Sequence, residues 1–461
     1  MKALDLGRRI TSVLLCASLA GAVFTGCKKG DDMFPSIEAP QDQTDTTEES
    51  EAVAQESDTG DIQQLTVALP YSDQTVQCLA AMYYSKNNGL WDSSESGLTV
   101  DTDYLASVAT NYVVSNVGCG STGISVENIK SWKQEGGIPD LFLAQDSDSM
   151  WAGGYVEELN GFLSDNKYLS SQQIYAGALT ADSEGGMFYA VPHYCSAEIV
   201  IGSMEYIPSS TGKLQTKNTT EDLREYLVAI QDEHPESAGF SSAYDLIPYL
   251  GSAFNGDNPT SYMVSDEYRK NPETAGVIIN DAATYVRDFY SDSLANDLSD
   301  GADPVFSRTA ALWADSSANI NAWAEYYPDS LYFLHLPCND AYNTGVPYIS
   351  TYSLCVAKGS VHSGFAAEFA AFISFDPDAQ LLIYRLENMT GLMPLTRNDA
   401  VWNLISDDPL FGHMASDFRQ TMDNAVYCPA SYDNMVFSNT KLYTAEFVKG
   451  TDDFDPEKCY G

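Results

Sequence analysis

The sequence predicts an α/β fold large enough for two lobes. About 400 residues follow an acidic N-terminal stretch, which is room for two domains of ordinary size. Within them, short apolar runs of strand character alternate with segments of helical periodicity. Beyond the N-terminus no run is long and apolar enough for a membrane-spanning helix, and there is no internal repeat.

The elements follow in order. Leu65, Val67 and Leu69 mark a first strand that Pro70 ends, and Val76, Leu79, Ala80 and Tyr83 give a helix running to Gly89. A second helix over 127–134 leads through Gly136-Gly137-Ile138-Pro139 into the apolar strand 141–144. Residues 200–202, 310–314, 331–334 and 352–356 continue the strand set. Thr220 opens a helix to about Glu233 with Leu223, Tyr226, Leu227 and Ile230 on one face, and 275–289 and 365–375 are further helices. Open α/β sheets of this kind hold ligands beyond the carboxyl ends of their strands.

The N-terminus reads differently. Lys2, Arg8 and Arg9 precede an apolar run over 10–23, too short to span a bilayer and suited to a signal peptide. The run ends at Phe24-Thr25-Gly26-Cys27, which resembles the bacterial lipobox, so residues 1–26 are expected to be removed and Cys27 to carry the lipid anchor. Residues 27–63 then form an acidic linker; from Gly30 to Asp61 no basic residue interrupts the Asp and Glu side chains. Such a segment buries too little apolar surface to fold and serves as an extended leash.

A net charge of −42 argues against nucleic acid and against strongly anionic ligands. Nine cysteines, Cys16 and Cys27 among them, show no CxxC pair; Cys195, Cys338 and Cys355 lie in apolar strands and read as buried small hydrophobes. The five histidines fall in no metal-ligand spacing, and no GxSxG element occurs. Asp146, Asp148 and Glu157 share the 1, 3, 12 spacing of a calcium loop, but Met150 and Trp151 stand where a ligand and a glycine belong. Gly118-x-Gly120-x-x-Gly123 matches a dinucleotide fingerprint without its context and reads as a surface glycine loop. No catalytic residue, metal or cofactor is implied.

Aromatic side chains beside polar ones at strand ends suit a sugar, whose hydroxyl rim wants Asp, Asn, Gln or Ser and whose C–H faces want a ring. Tyr71 and Ser72 follow the first strand; Gln145, Asp146 and Ser147 follow Ala144, and Trp151 is expected to begin the next helix. Trp313 and Asp315 end the 310–314 strand, and Tyr432 lies in the C-terminal part.

Five segments in order resemble the extracellular solute-binding proteins of ABC-type sugar importers, the maltose-binding-protein-like family. They are Pro139-Asp140-Leu141-Phe142-Leu143 with Gly154-Tyr155-Val156; Gly186-Met187-Phe188-Tyr189-Ala190-Val191-Pro192; Phe306-Ser307-Arg308-Thr309-Ala310-Ala311-Leu312; Phe365 to Ile373 with Pro377 and Gln380; and Thr390-Gly391-Leu392-Met393-Pro394. Residues 98–131 depart from the family's short link and include an insertion. The resemblance implies a two-lobed periplasmic-binding-protein-like fold with hinge crossovers and an interlobe ligand cleft. The first lobe would combine 64–196 with 347–397, and the second 197–346 with 398–461. Tyr194 and Ser196 would then lie on the outgoing crossover and Tyr348 and Tyr352 near the return one. Relatives often stack a Trp on the sugar just after the Ala310–Leu312 motif, where this chain has Asp315-Ser316-Ser317. The implied function is capture of a neutral sugar or oligosaccharide by a non-enzymatic, monomeric protein, lipid-anchored on the extracytoplasmic face, which delivers its ligand to a membrane permease. Capture of a peptide or amino acid, service to a sensor or glycan-capture complex, and an exported enzyme are the alternatives.

Overall fold

The structure, a computed structural model, describes residues 63–91, 102–108, 112–163, 166–169, 174–254, 272–296, 303–338, 348–429 and 447. Residues 1–62, which include the expected signal segment, Cys27 and nearly all of the expected linker, and Tyr432 lie outside the described residues; Gln63, expected to end the linker, begins a strand because it pairs with Tyr112.

The described chain begins with β1 (Gln63–Ala68), α1 (Asp73–Asn87), α2 (Thr102–Ser107), β2 (Tyr112–Asn116), α3 (Val126–Glu135) and β3 (Leu141–Ala144). β1 pairs in parallel with β2 on one edge and β3 on the other. Leu65, Val67, Ala68 and all of β3 are buried, as expected where helices cover both faces of a sheet. α3 starts at Val126 because Ser125 and Asn128 form a reciprocal capping box, and it stops at Gly136, which takes a left-handed φ of 111°. Next come α4 (Ser147–Ala152), α5 (Asn160–Leu163), α6 (Ala176–Ala181) and the hairpin β4 (Ser183–Glu184) with β5 (Met187–Phe188). The long strand β6 (Val191–Ser203) follows.

After β6 the chain forms α7 (Thr220–Glu233), β7 (Phe240–Ser241), α8 (Gly251–Phe254), α9 (Pro272–Ser291), β8 (Leu312–Ser316), α10 (Ile320–Tyr326) and β9 (Leu331–His335). α7 matches its sequence reading, with a Thr219–Asp222 capping box and Leu223, Tyr226, Leu227 and Ile230 buried. The second half of β6 lies between β8 and β9, antiparallel to both, while β7 runs parallel to β8. The β8 strand corrects the expected 310–314: pairing of Gly202 with Leu312 and of Glu198 with Ser316 fixes its register two residues later.

The return strand β10 (Tyr348–Val356) is buried throughout and enters between β3 and the first half of β6, antiparallel to each. After it come α11 (Ser363–Phe375), α12 (Pro377–Leu386), β11 (Met393–Pro394), α13 (Asp399–Ser406), α14 (Gly412–Thr421) and β12 (Val426–Pro429). β12 pairs in parallel with the start of β10, and α14 meets β9 through a bond between His413 Nε2 and the Phe333 carbonyl. β6 thus pairs with β10 and β11 along its first half and with β8 and β9 along its second. Cys78, Cys195, Cys338 and Cys355 are buried, as read for the last three.

Candidate functional site

β1, β2 and β3 point their carboxyl ends the same way, and β10 continues past the end of β3 because Ser353 pairs with Ala144. On the other side, β8 ends at Ser316, opposite Glu198 on β6. The ends of both sheets therefore meet around residues 194–198 of β6 and 349–352 of β10.

The junction holds a polar cluster. Tyr194 and Tyr352 are register partners with rings 5.2 Å apart, and the Tyr194 hydroxyl donates to the Ser121 carbonyl at 2.9 Å. The Ser316 hydroxyl donates to Ser196 Oγ at 2.9 Å. Burial pushes the Tyr352 phenol up to about 12, against the pull of hydrogen bonds with Ser196 and Ser316; the Glu198 and Asp315 carboxylates also raise it. Asp315 accepts from Asn319 Nδ2 at 2.9 Å and from Trp323 Nε1 at 2.5 Å. Trp323, which sequence reasoning missed, is thereby held half-buried beside the end of β8. Its signal was the spacing Ile320, Trp323, Tyr327, one face of a helix carrying an indole toward an acidic strand end.

A second cluster lies where β3 ends. Gln145 and Asp146, with Ser125, Glu127, Lys130 and Tyr155, line a cavity of about 520 Å³ between the starts of α3 and α4. Asp146 also caps α4, accepting from the Ser149 amide at 2.8 Å. Tyr155, also missed, packs against Gly153, where a Cβ would stand 2.4 Å from its ring, so any larger residue there would have to push the aromatic wall aside. The Gly118–Gly123 loop ends pressed on β3. A Cβ on Gly123, at φ +84°, would stand 2.7 Å from the Leu143 oxygen, so the glycine serves packing of loop on strand.

Other expected residues are engaged elsewhere. The Ser147 hydroxyl is buried and donates to Asp182 at 2.6 Å. Trp151 falls in the last turn of α4 and not at its start, since Asp146 caps the helix at Ser147. Its ring stacks on Tyr189 at 5.4 Å and its Nε1 donates to Glu184, which ties it to the β4–β5 hairpin. Trp313 is buried against Trp323 and Tyr327, and Tyr348 is buried with its ring 5.1 Å from Tyr249. The Tyr71 hydroxyl bonds His193 Nε2 at 2.5 Å, while Ser72 caps α1 and meets Glu387. The calcium-like spacing is dispersed: Asp148 accepts from Tyr189, Glu157 pairs with Lys358, and no metal-holding group occurs among the described residues.

No protein-family model and no curated protein sequence matches the chain. Solved structures do. The sugar-binding protein MalE from Xanthomonas citri is 14% identical with a TM-score of 0.60, covering 86% of this chain and 94% of its own. The cyclic alpha-maltosyl-1,6-maltose binding protein from Arthrobacter globiformis is 13% identical with a TM-score of 0.59, covering 87% and 97%. An ABC substrate-binding protein from Listeria monocytogenes, solved in complex with cycloalternan, is 15% identical with a TM-score of 0.54, covering 87% and 96%. The chain has the two-lobed α/β fold of these ABC solute-binding proteins over nearly its whole described length.

Proposed function

We propose that the protein is the extracytoplasmic binding subunit of an ABC-type importer and captures a neutral sugar or oligosaccharide between its lobes without chemical turnover. The observation that carries the reading is the convergence of both sheets' strand ends on Tyr194, Ser196, Tyr352, Ser316, Asp315 and Trp323. Hydroxyls there lie beside a carboxylate that holds a half-buried indole, the combination a sugar's rim and face require. The similar folds named for sugars and maltosyl rings support the same reading. We assign residues 64–196 with 347–397 to the first lobe and 197–346 with 398–461 to the second; ligand that touches both favours the closed arrangement through its differential affinity. Delivery to a permease follows.

Gln145, Asp146 and Tyr155 are proposed as the first lobe's contribution. Losing one hydrogen bond to a charged group costs about 1.5–3 kcal/mol, so Asp146→Ala should weaken binding at least about tenfold. Calorimetry of purified protein against neutral oligosaccharides, amino acids, peptides and polyols checks this. A response to peptides alone would overturn the sugar reading. Unchanged affinity in Asp146→Ala would remove Asp146 from the site.

Lipid attachment at Cys27 is the proposed anchor, with residues 27–63 as tether. Cys27→Ser should move the protein from the membrane fraction to the soluble one. Wild-type protein found wholly soluble would end the anchor proposal.

A further inference from the structure

We propose that Glu387 is a positioning residue that couples the loop after β1 to the second lobe. The inference rests on the two-lobed capture reading and adds to it a particular path between the cleft walls.

Glu387 follows α12 in extended backbone, and its Oε1 accepts from the Ser72 amide at 2.9 Å, the Ser72 hydroxyl at 2.9 Å and the Thr75 hydroxyl at 2.5 Å. These donors stand at the start of α1, where free N–H groups and the helix dipole favour a carboxylate. The hydrogen bonds are charge-assisted and hold the loop that carries Tyr71.

The turn that follows Glu387 touches the other lobe. Asn388 Oδ1 accepts from Asn321 Nδ2 of α10 at 3.2 Å. The Gly391 carbonyl accepts from the Ser317 hydroxyl at 2.5 Å, and Ser317 Oγ in turn accepts from the Ala197 amide of β6 at 3.0 Å. Gly391 approaches Ser317 so closely that a Cβ would stand 1.9 Å from its carbonyl oxygen. Five residues, 387–391, thus hold the loop after β1 and the segment after β8 and, through Ser317, reach β6.

The turn also walls a cavity of about 200 Å³ with Tyr384, Asp408 and Phe411. Hydrogen bonds that span the turn therefore run beside open space, while Met389 anchors it in the core. A purely local role, capping α1, would involve Ser72 and Thr75 alone.

Hydrogen exchange on the full, ligand-free protein separates the two roles. Glu387→Ala should speed exchange at 72–77 and also at 196–197 and 317–320, each by at least about fivefold, the lower end of ordinary coupling. Glu387→Gln, which keeps an oxygen acceptor, should recover most of the protection. From the other side Asn321→Ala, a partly exposed position, should speed exchange at 72–77, because coupling is reciprocal. Acceleration confined to 72–77 in Glu387→Ala, or none there in Asn321→Ala, overturns the proposal. If Glu387→Ala fails to fold, the Asn321→Ala arm decides. Every arm is read without ligand, so failure here is distinguishable from failure of the sugar reading, which calorimetry addresses.

Discussion

Asp182→Asn should raise stability by about 3 kcal/mol above pH 7 and leave it nearly unchanged below pH 4. Asp182 is fully buried, accepting from the Ser147 hydroxyl at 2.6 Å and the Ser353 hydroxyl at 2.5 Å. Burial pushes its carboxyl up to about 6 from 3.8; the two serine hydrogen bonds oppose the rise and nearby Asp148 adds to it. A folded-state value above the unfolded one means the native protein holds the proton longer. The group's contribution is therefore complete below pH 3.8 and is lost as pH rises through 6. At about 1.36 kcal/mol per unit, the loss approaches 3 kcal/mol. An asparagine keeps an acceptor for one serine and offers a donor to the other, so the site stays bonded.

His193 works in the opposite sense. Buried between Tyr71 and Ser374, it is pushed down to about 3 from 6.5 by burial. Its neutral form contributes stability above pH 6.5 that is lost as pH falls toward 3. Between roughly pH 4 and 6 the two slopes offset each other in the wild type. Asp182→Asn should unmask the histidine and steepen the acid decline. Urea unfolding at pH 4, 5, 6 and 8 checks this, and a stability gap between variant and wild type that does not change with pH would refute it.

Gly391→Ala should cost about 3 kcal/mol or more. A left-handed φ of 80° penalises any side chain by roughly 1–2 kcal/mol. The added methyl must also displace the Ser317 carbonyl, a backbone atom that cannot rotate aside, and the 2.5 Å Ser317–Gly391 hydrogen bond goes with it. Gly118→Ala is the internal control, since φ is +73° there but no atom lies within 4 Å of the new Cβ. It should show the backbone penalty alone. Equal shifts in the urea midpoints of the two variants would show that close approach at Gly391 has no weight.

The sequence exposes features set by local rules. β3 runs from Leu141 to Ala144 as its apolar block predicts, and α7 starts at Thr220 because Thr219 and Asp222 cap each other within one turn. Features set by distant partners were hidden. The register of β8 depends on β6, more than a hundred residues earlier, which draws Asp315 and Ser316 into a strand that their polarity argues against. For the candidate site, the strand ends were legible and the directions of the side chains were not. Ser147 and Asp146 are neighbours, yet one turns inward to Asp182 while the other lines the cavity. Nothing local distinguishes them, because Asp182 comes from after α6. Trp151 likewise follows its partners Tyr189 and Glu184, which arrive on the β4–β5 hairpin and the residue after it.

The placement of β10 also sets the order in which the protein can be assembled. Ala144 pairs with Ser353, some two hundred residues further along, and the first half of β6 needs the same late strand. Contacts so distant in sequence reward the chain only after a long loop has been closed, and such topologies fold slowly. A chain emerging from the ribosome holds β1, β2 and β3 with the β3 edge open until β10 exists. The first lobe cannot finish before most of the second has been made.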